Sequence, residues 1–442
     1  MTSPAGMRQL RLPRLGVFLG FVCVLAACTA PRDDRVEISF WAMGSEGEKV
    51  RELTTRFERR HPQIRVRVQQ IPWSAAHEKL LTAYAGDTMP DLFQLGNTWI
   101  PEFVALNALE PLGPRLETSK VLKADDWFAG ILDTNVLEDR LYGLPWYVDT
   151  RLLFYRRDIF EQAGVTEAPR TWEAWIEAMQ RVRSQENPGN FPILLPFDDW
   201  TPPVILALQL GSGLLRDKDR YGGFSDPAFA RAFDFYIDFF RRDWAPSAGG
   251  DRPNNVYQAF AAGQVAMLIT GPWNIGEFGE RLPESVQASW ATAPLPTADG
   301  HAPGVSIAGG ASLVMSRQTA HPEPVWALME FLTAPQQQIE FNRLTGDLPS
   351  SKRAWQTAQL DVHPHTRAFW AQLQNVRALP KIPEWERIAS RITRYSELVI
   401  RREMSSTEAL AALDEDVDAI LEKRRWLMER IDSGPATEVS AH

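Results

Sequence analysis

Residues 36–95 alternate strand, helix, strand, helix, strand, and that order restricts the fold more than any other feature of this 442-residue chain. Val36-Glu37-Ile38-Ser39-Phe40-Trp41 alternates like a strand. After Gly44-Ser45, Val50, Leu53 and Phe57 recur on one helical face, and His61-Pro62 ends that helix because proline cannot continue it. Ile64, Val66 and Val68 alternate as a second strand, and Ser74 is placed to cap a helix running through Leu80, Leu81 and Tyr84 to Gly86. Asp91-Leu92-Phe93-Gln94-Leu95 reads as a third strand, so these elements predict a parallel α/β sheet.

Later segments keep the mixed character. Leu152–Tyr155 and Val265–Ile269 read as buried strands, while Phe229, Phe233, Tyr236 and Phe240 mark an amphipathic helix. Helices are expected at 323–333, 336–345, 384–402 and 406–431. There is no internal repeat and no low-complexity linker, which suits lobes whose chain crosses between them more than once.

The only cysteines, Cys23 and Cys28, fall within the first 28 residues, so a disulfide framework or a cysteine metal site in the body is excluded. Arg8, Arg11 and Arg14 precede an apolar run, Leu15–Ala27, too short to span a hydrocarbon core of ~30 Å but suited to a secretory signal. The run ends Leu25-Ala26-Ala27-Cys28, which resembles a bacterial lipobox. It implies cleavage after residue 27 and a lipid anchor on Cys28. Losing that basic segment leaves the chain still more acidic than the −9 of the full sequence, which argues against nucleic acid and for a neutral ligand.

Catalytic and cofactor signatures are missing. No Walker-type loop, His-Glu-x-x-His, Gly-x-Ser-x-Gly or Gly-x-Gly-x-x-Gly occurs, and no cofactor is expected. His363 and His365 are the only close histidines, and they read as a surface loop rather than a metal site. The informative residues are the sixteen tryptophans. Trp41, Trp99, Trp146-Tyr147 and Trp273 lie at the ends of expected strands or turns, where α/β sheets bind ligands. Each has a polar neighbour: Glu46, Asn97, Asp149 and Asn274. Aromatic platforms beside carboxylates and amides suit a sugar, with its apolar C–H faces and rim of hydroxyls. Trp172, Trp175 and Trp326 read as packing residues.

Four segments carry a family resemblance: Tyr142–Thr150 leading to Leu153–Arg156 and Phe160–Gly164; Phe260–Met267 running on to Gly271-Pro272-Trp273; Ala293-Pro294-Leu295-Pro296 with Gly309-Gly310; and Leu348-Pro349-Ser350-Ser351. In this order the chain resembles the extracellular solute-binding proteins of ABC importers, in the maltose, trehalose and multiple-sugar class. The resemblance implies a two-lobe α/β fold of the periplasmic-binding-protein type, with hinge segments and a ligand cleft. Residues 36–144 plus 296–349 would form the N-terminal lobe, and 145–295 plus 350–432 the C-terminal lobe. It further implies a non-catalytic, monomeric, lipid-anchored extracytoplasmic receptor that binds a neutral di- or oligosaccharide, trehalose or maltose favoured, and delivers it to permease subunits in the inner membrane. A glycerol phosphate ligand and an exported glycoside hydrolase are the alternatives. Matched positions place Glu46, Asn97, Tyr147, Asp149, Gly309 and Gly310 at the ligand, with Trp273 as stacking floor; Trp41 and Asn274 join them from the aromatic pairings. Many members carry an arginine where this chain has Leu379, ahead of Pro380-Lys381-Ile382-Pro383-Glu384-Trp385. Arg377 is the nearest candidate for that role.

Overall fold

The computed structural model describes residues 34–185, 190–195, 199–247, 253, 255–301 and 303–432. The signal segment 1–27 and the lipidation site Cys28 lie outside the described residues.

Two sheets organise the chain. Strands β1 (Val36–Met43), β2 (Ile64–Ile71) and β3 (Leu92–Gly96) pair in parallel, joined by helices α1 (Gly44–Arg60) and α2 (Trp73–Ala85). They are extended by β4 (Gly143–Asp149), β9 (Gly309–Met315) and β10 (Leu348–Pro349) into a sheet of order β10-β4-β9-β3-β1-β2. The second sheet has order β8-β5-β7-β6, from β5 (Leu152–Arg156), β6 (Phe191–Leu194), β7 (Val265–Thr270) and β8 (Trp290–Ala293). Parallel pairing holds for β1–β3 and for β7 with β6. Strands that re-enter a sheet from the other lobe run the opposite way: β9 is antiparallel to β3 and β4, and β5 is antiparallel to β7 and β8.

The chain changes sheets across Thr150–Arg151, because β4 keeps its pairing with β9 through Asp149 and β5 opens at Leu152. Residues 145–149, assigned above to the second lobe, therefore sit in the first sheet. Pro145 is not a break there. The register against β9 shifts between Ala311 and Ser312, and a proline lacking its N–H is tolerated at such a bulge.

Each sheet has its own apolar core. Ile38, Phe40, Leu313, Met315, Val325 and Met329 pack on the first, and helix Pro322–Thr333 supplies the last two. Met267, Ile193, Phe233, Tyr236, Trp385 and Ile388 pack on the second. Phe229, Phe233, Tyr236 and Phe240 are all buried along helix Pro227–Arg241, as their spacing requires. Trp172, Trp175 and Trp326 are buried packing residues, and Thr171 caps the helix carrying the first two by accepting from the Ala174 N–H at 3.1 Å. The long helix expected over 406–431 is two helices, Ser406–Ile420 and Glu422–Asp432. Ser405 and Glu408 form a reciprocal capping box at the start of the first.

Candidate functional site

A cleft of about 540 Å³ opens where the carboxyl ends of β1 and β3 meet β4, β9 and the beginning of helix α3 (Trp273–Arg281). The first turn of α1, which follows β1 directly, brings Gly44, Ser45 and Glu46 to it, and the turn after β3 brings Asn97, Thr98 and Trp99. Tyr147 and Asp149 reach it from β4, Gly309 and Gly310 from β9, and Trp273 from the first position of α3.

Polar residues on the first-lobe side are tightly ordered. The Tyr147 hydroxyl donates to Glu46 Oε1 at 2.9 Å and accepts from Gln94 Nε2 at 3.0 Å, while Gln94 Oε1 accepts from the Met43 N–H at 2.7 Å. The Trp73 indole donates to the same Glu46 oxygen at 3.3 Å. Glu46 also lies in the first turn of α1, where the helix dipole favours negative charge. Burial and the adjacent Glu46 push the Tyr147 hydroxyl well above the usual tyrosine range, so it serves as a neutral donor. Asp347, just before β10, joins the lining. Burial raises its carboxyl well above the ordinary range, and repulsion from Glu46 and Asp149 adds to this.

Among the described residues, Arg151 is the one cation of the lining. Burial opposes its charge, yet Asp149 and Asp199 hold it protonated. Asp149 accepts from its Nη1 through both oxygens, at 2.7 and 2.8 Å. The Arg151 guanidinium lies 4.7 Å from the centre of the Trp273 ring. Trp273 and Trp73 remain 39% and 37% exposed, so both present apolar ring to the cleft. Trp99 meets Trp73 edge-on with centroids 5.7 Å apart, and Trp200 completes a lining with four indoles.

Glycines set two of these positions. A Cβ on Gly271 would lie 1.9 Å from the Trp273 ring, so only glycine lets that ring fold over the turn before α3. Gly271→Ala is therefore expected to displace Trp273 and weaken ligand binding while the melting temperature changes little; unchanged affinity by calorimetry would contradict this. Gly310 has φ +122, and a Cβ there would meet the Tyr147 carbonyl at 2.3 Å.

The structure brings Glu46, Asn97, Tyr147, Asp149, Trp273, Gly309 and Gly310 together. Trp41, Asn274 and Arg377 are not in the lining. Trp41 points to the opposite face of β1 from Phe40 and Ala42, and Lys79 of α2 lies 4.9 Å over its ring. The Asn274 amide turns back to the end of β7 to donate to Thr270 Oγ1 at 2.6 Å. Arg377 is exposed on a two-residue strand paired with Ser306-Ile307, and apolar Leu379 faces the cleft instead. Trp73, Arg151, Trp200, Glu277 and Asp347 line the cleft without having been singled out from the sequence. His365 stacks on Trp290 at 3.8 Å, and burial lowers its pKa to about 4. Among the described residues no group of three or more His, Cys, Asp or Glu is placed to hold a metal ion.

A model of the bacterial extracellular solute-binding proteins matches residues 43–339. The solved structure of the sugar-binding protein MalE from Xanthomonas citri superposes with a TM-score of 0.85 at 43% identity, covering 89% of this chain and all of that one. The GacH receptor of Streptomyces glaucescens, solved unliganded and with acarbose, shares the fold with a TM-score of 0.76 at 22% identity, over 88% of this chain and 99% of the receptor. The diacetylchitobiose-binding protein of Streptomyces coelicolor is 24% identical over 399 residues, 86% of this chain and 90% of that protein.

Proposed function

Because the chain belongs to the bacterial extracellular solute-binding proteins, a family of receptors rather than enzymes, we propose that its cleft captures a neutral di- or oligosaccharide for an ABC importer. Trehalose or maltose, as α-linked glucose dimers, are the favoured ligands. The observation that carries this reading is the pairing of exposed indole faces, Trp73 and Trp273, with an acceptor-rich rim of Glu46, Asp149 and Asp347. Indole faces match the C–H faces of a sugar, and carboxylates match its hydroxyls. Contacts from both lobes give closure a driving force, since a ligand shifts the open–closed balance only through contacts that differ between the two states. A lipid on Cys28 would hold the receptor beside its permease at high effective concentration.

A glycerol phosphate ligand would need free cationic donors. Arg151, the one cation of the lining among the described residues, is held by both oxygens of Asp149. Four lining tryptophans make intrinsic fluorescence a direct probe of the ligand class. Titrating the mature chain with trehalose, maltose and a glycerophosphodiester is expected to give saturable changes with a sugar alone. A response confined to the phosphodiester would replace the sugar reading.

A further inference from the structure

Helix α4 (Trp385–Ile400) belongs to the second lobe, where Trp385, Ile388 and Ile392 are buried in its core. Its first turn nevertheless touches both walls of the cleft. Trp385 meets the cleft-lining Trp200 edge-on at 5.6 Å. The next residue, Glu386, faces the first lobe, where Thr98 Oγ1, in the turn after β3, donates to Glu386 Oε1. The Trp99 indole contributes a smaller stabilisation of the same carboxylate. Thr98 and Trp99 both line the cleft.

The surroundings of this contact are specific. From α2, His77 packs 5.0 Å from the Trp99 ring and bonds Glu102 Oε2, of the following short helix Ile100–Ala105, at 2.6 Å. Burial raises the Glu386 carboxyl, Thr98 and His77 counteract this, and Glu102 repels it. The Glu102 bond raises His77 above its ordinary value, with Glu386 contributing further. Position in the first turn of a helix also favours the ionised carboxylate.

We propose that Glu386 is a lobe-to-lobe positioning residue: it clamps the Thr98–Trp99 turn of the first lobe to the second, so that the set of the Trp99 ring and the closure of the cleft are coupled. The residue acts through Thr98 and Trp99 and need not touch the ligand. For its ligand arm the inference rests on the receptor reading; its ligand-free arm does not.

The test compares Glu386→Ala and Glu386→Gln in the mature chain. Because a hydrogen bond to a charged group is among the stronger ones, Glu386→Ala is expected to weaken sugar binding about tenfold or more. The loss should appear as faster dissociation with little change in association rate. Glu386→Gln keeps an acceptor for Thr98 and should recover most of the affinity. Without sugar, small-angle scattering should give Glu386→Ala a larger radius of gyration than the wild type, with Glu386→Gln close to the wild type. An unchanged radius in Glu386→Ala overturns the inference whatever the sugar does. So does an equal loss of melting temperature and affinity in both variants, which would make Glu386 a structural residue only. If the wild type binds no sugar, the receptor reading fails and the ligand-free scattering still decides the clamp.

Discussion

Replacing Trp273 with alanine is expected to weaken sugar binding by about 30-fold or more while leaving the melting temperature nearly unchanged. Truncating a central aromatic anchor at a binding surface typically costs about 2 kcal/mol or more, and each 1.4 kcal/mol is a factor of about ten. Trp273 is 39% exposed and opens α3, so its ring supports little of the core beneath it. Its loss would also remove the partner of the Arg151 guanidinium, but Asp149 keeps that cation neutralised. Calorimetric titration of wild type and variant with the same sugar measures the effect. Wild-type affinity in the variant would remove Trp273 from the site.

The second large effect falls on stability. Gly310→Ala is expected to destabilise the fold by about 3 kcal/mol, from a backbone conformation that side chains rarely adopt together with a core overlap. The overlap is with the Tyr147 carbonyl, at 2.3 Å. Relief would require β4 and β9 to separate where Gly310 pairs with Val148. That shift would pull Tyr147 from Glu46, so binding should fall along with stability. A denaturant midpoint equal to wild type would show that the strands adjust without cost.

Residues were legible in the sequence where one element end determines their position. Glu46 follows β1 closely and Asn97 follows β3 directly; the alternation of Ile38 and Phe40 marks β1, and the short run Leu92-Phe93-Gln94-Leu95, buried throughout, marks β3. Tyr147 and Asp149 alternate along one strand, and the paired glycines at 309–310 signal a close backbone approach. The same alternation excludes Trp41: on a strand with Phe40 and Ala42 buried, its ring must face the other way. That information is local, whereas nearness to a strand end does not by itself place a ring in the cleft.

Residues defined by tertiary packing were not legible. Ser74 has the chemistry of a helix cap, which leaves Trp73 outside the expected helix; the helix begins at Trp73 after Pro72, which puts the indole on the cleft. Arg151 and Asp347 each sit one residue outside the motifs Tyr142–Thr150 and Leu348–Ser351, and their place depends on how lobe-crossing segments turn. Trp200 and Glu386 arrive from elements far apart in sequence, and no local periodicity joins them to β3. Arg377 shows the reverse. Its spacing from the Pro380–Pro383 stretch suggested the ligand, but pairing of Val376-Arg377 with Ser306-Ile307 leaves it at the surface.

The central claim is that this cleft binds a sugar and returns it unchanged, and isothermal titration of residues 29–442 with trehalose and then maltose tests it most directly. The account predicts a saturating isotherm with at least one of them, ending at the heat of dilution, with intact disaccharide recovered from the cell. Heat that persists past saturation, with glucose released into solution, would contradict it and make the carboxylates of the cleft catalytic.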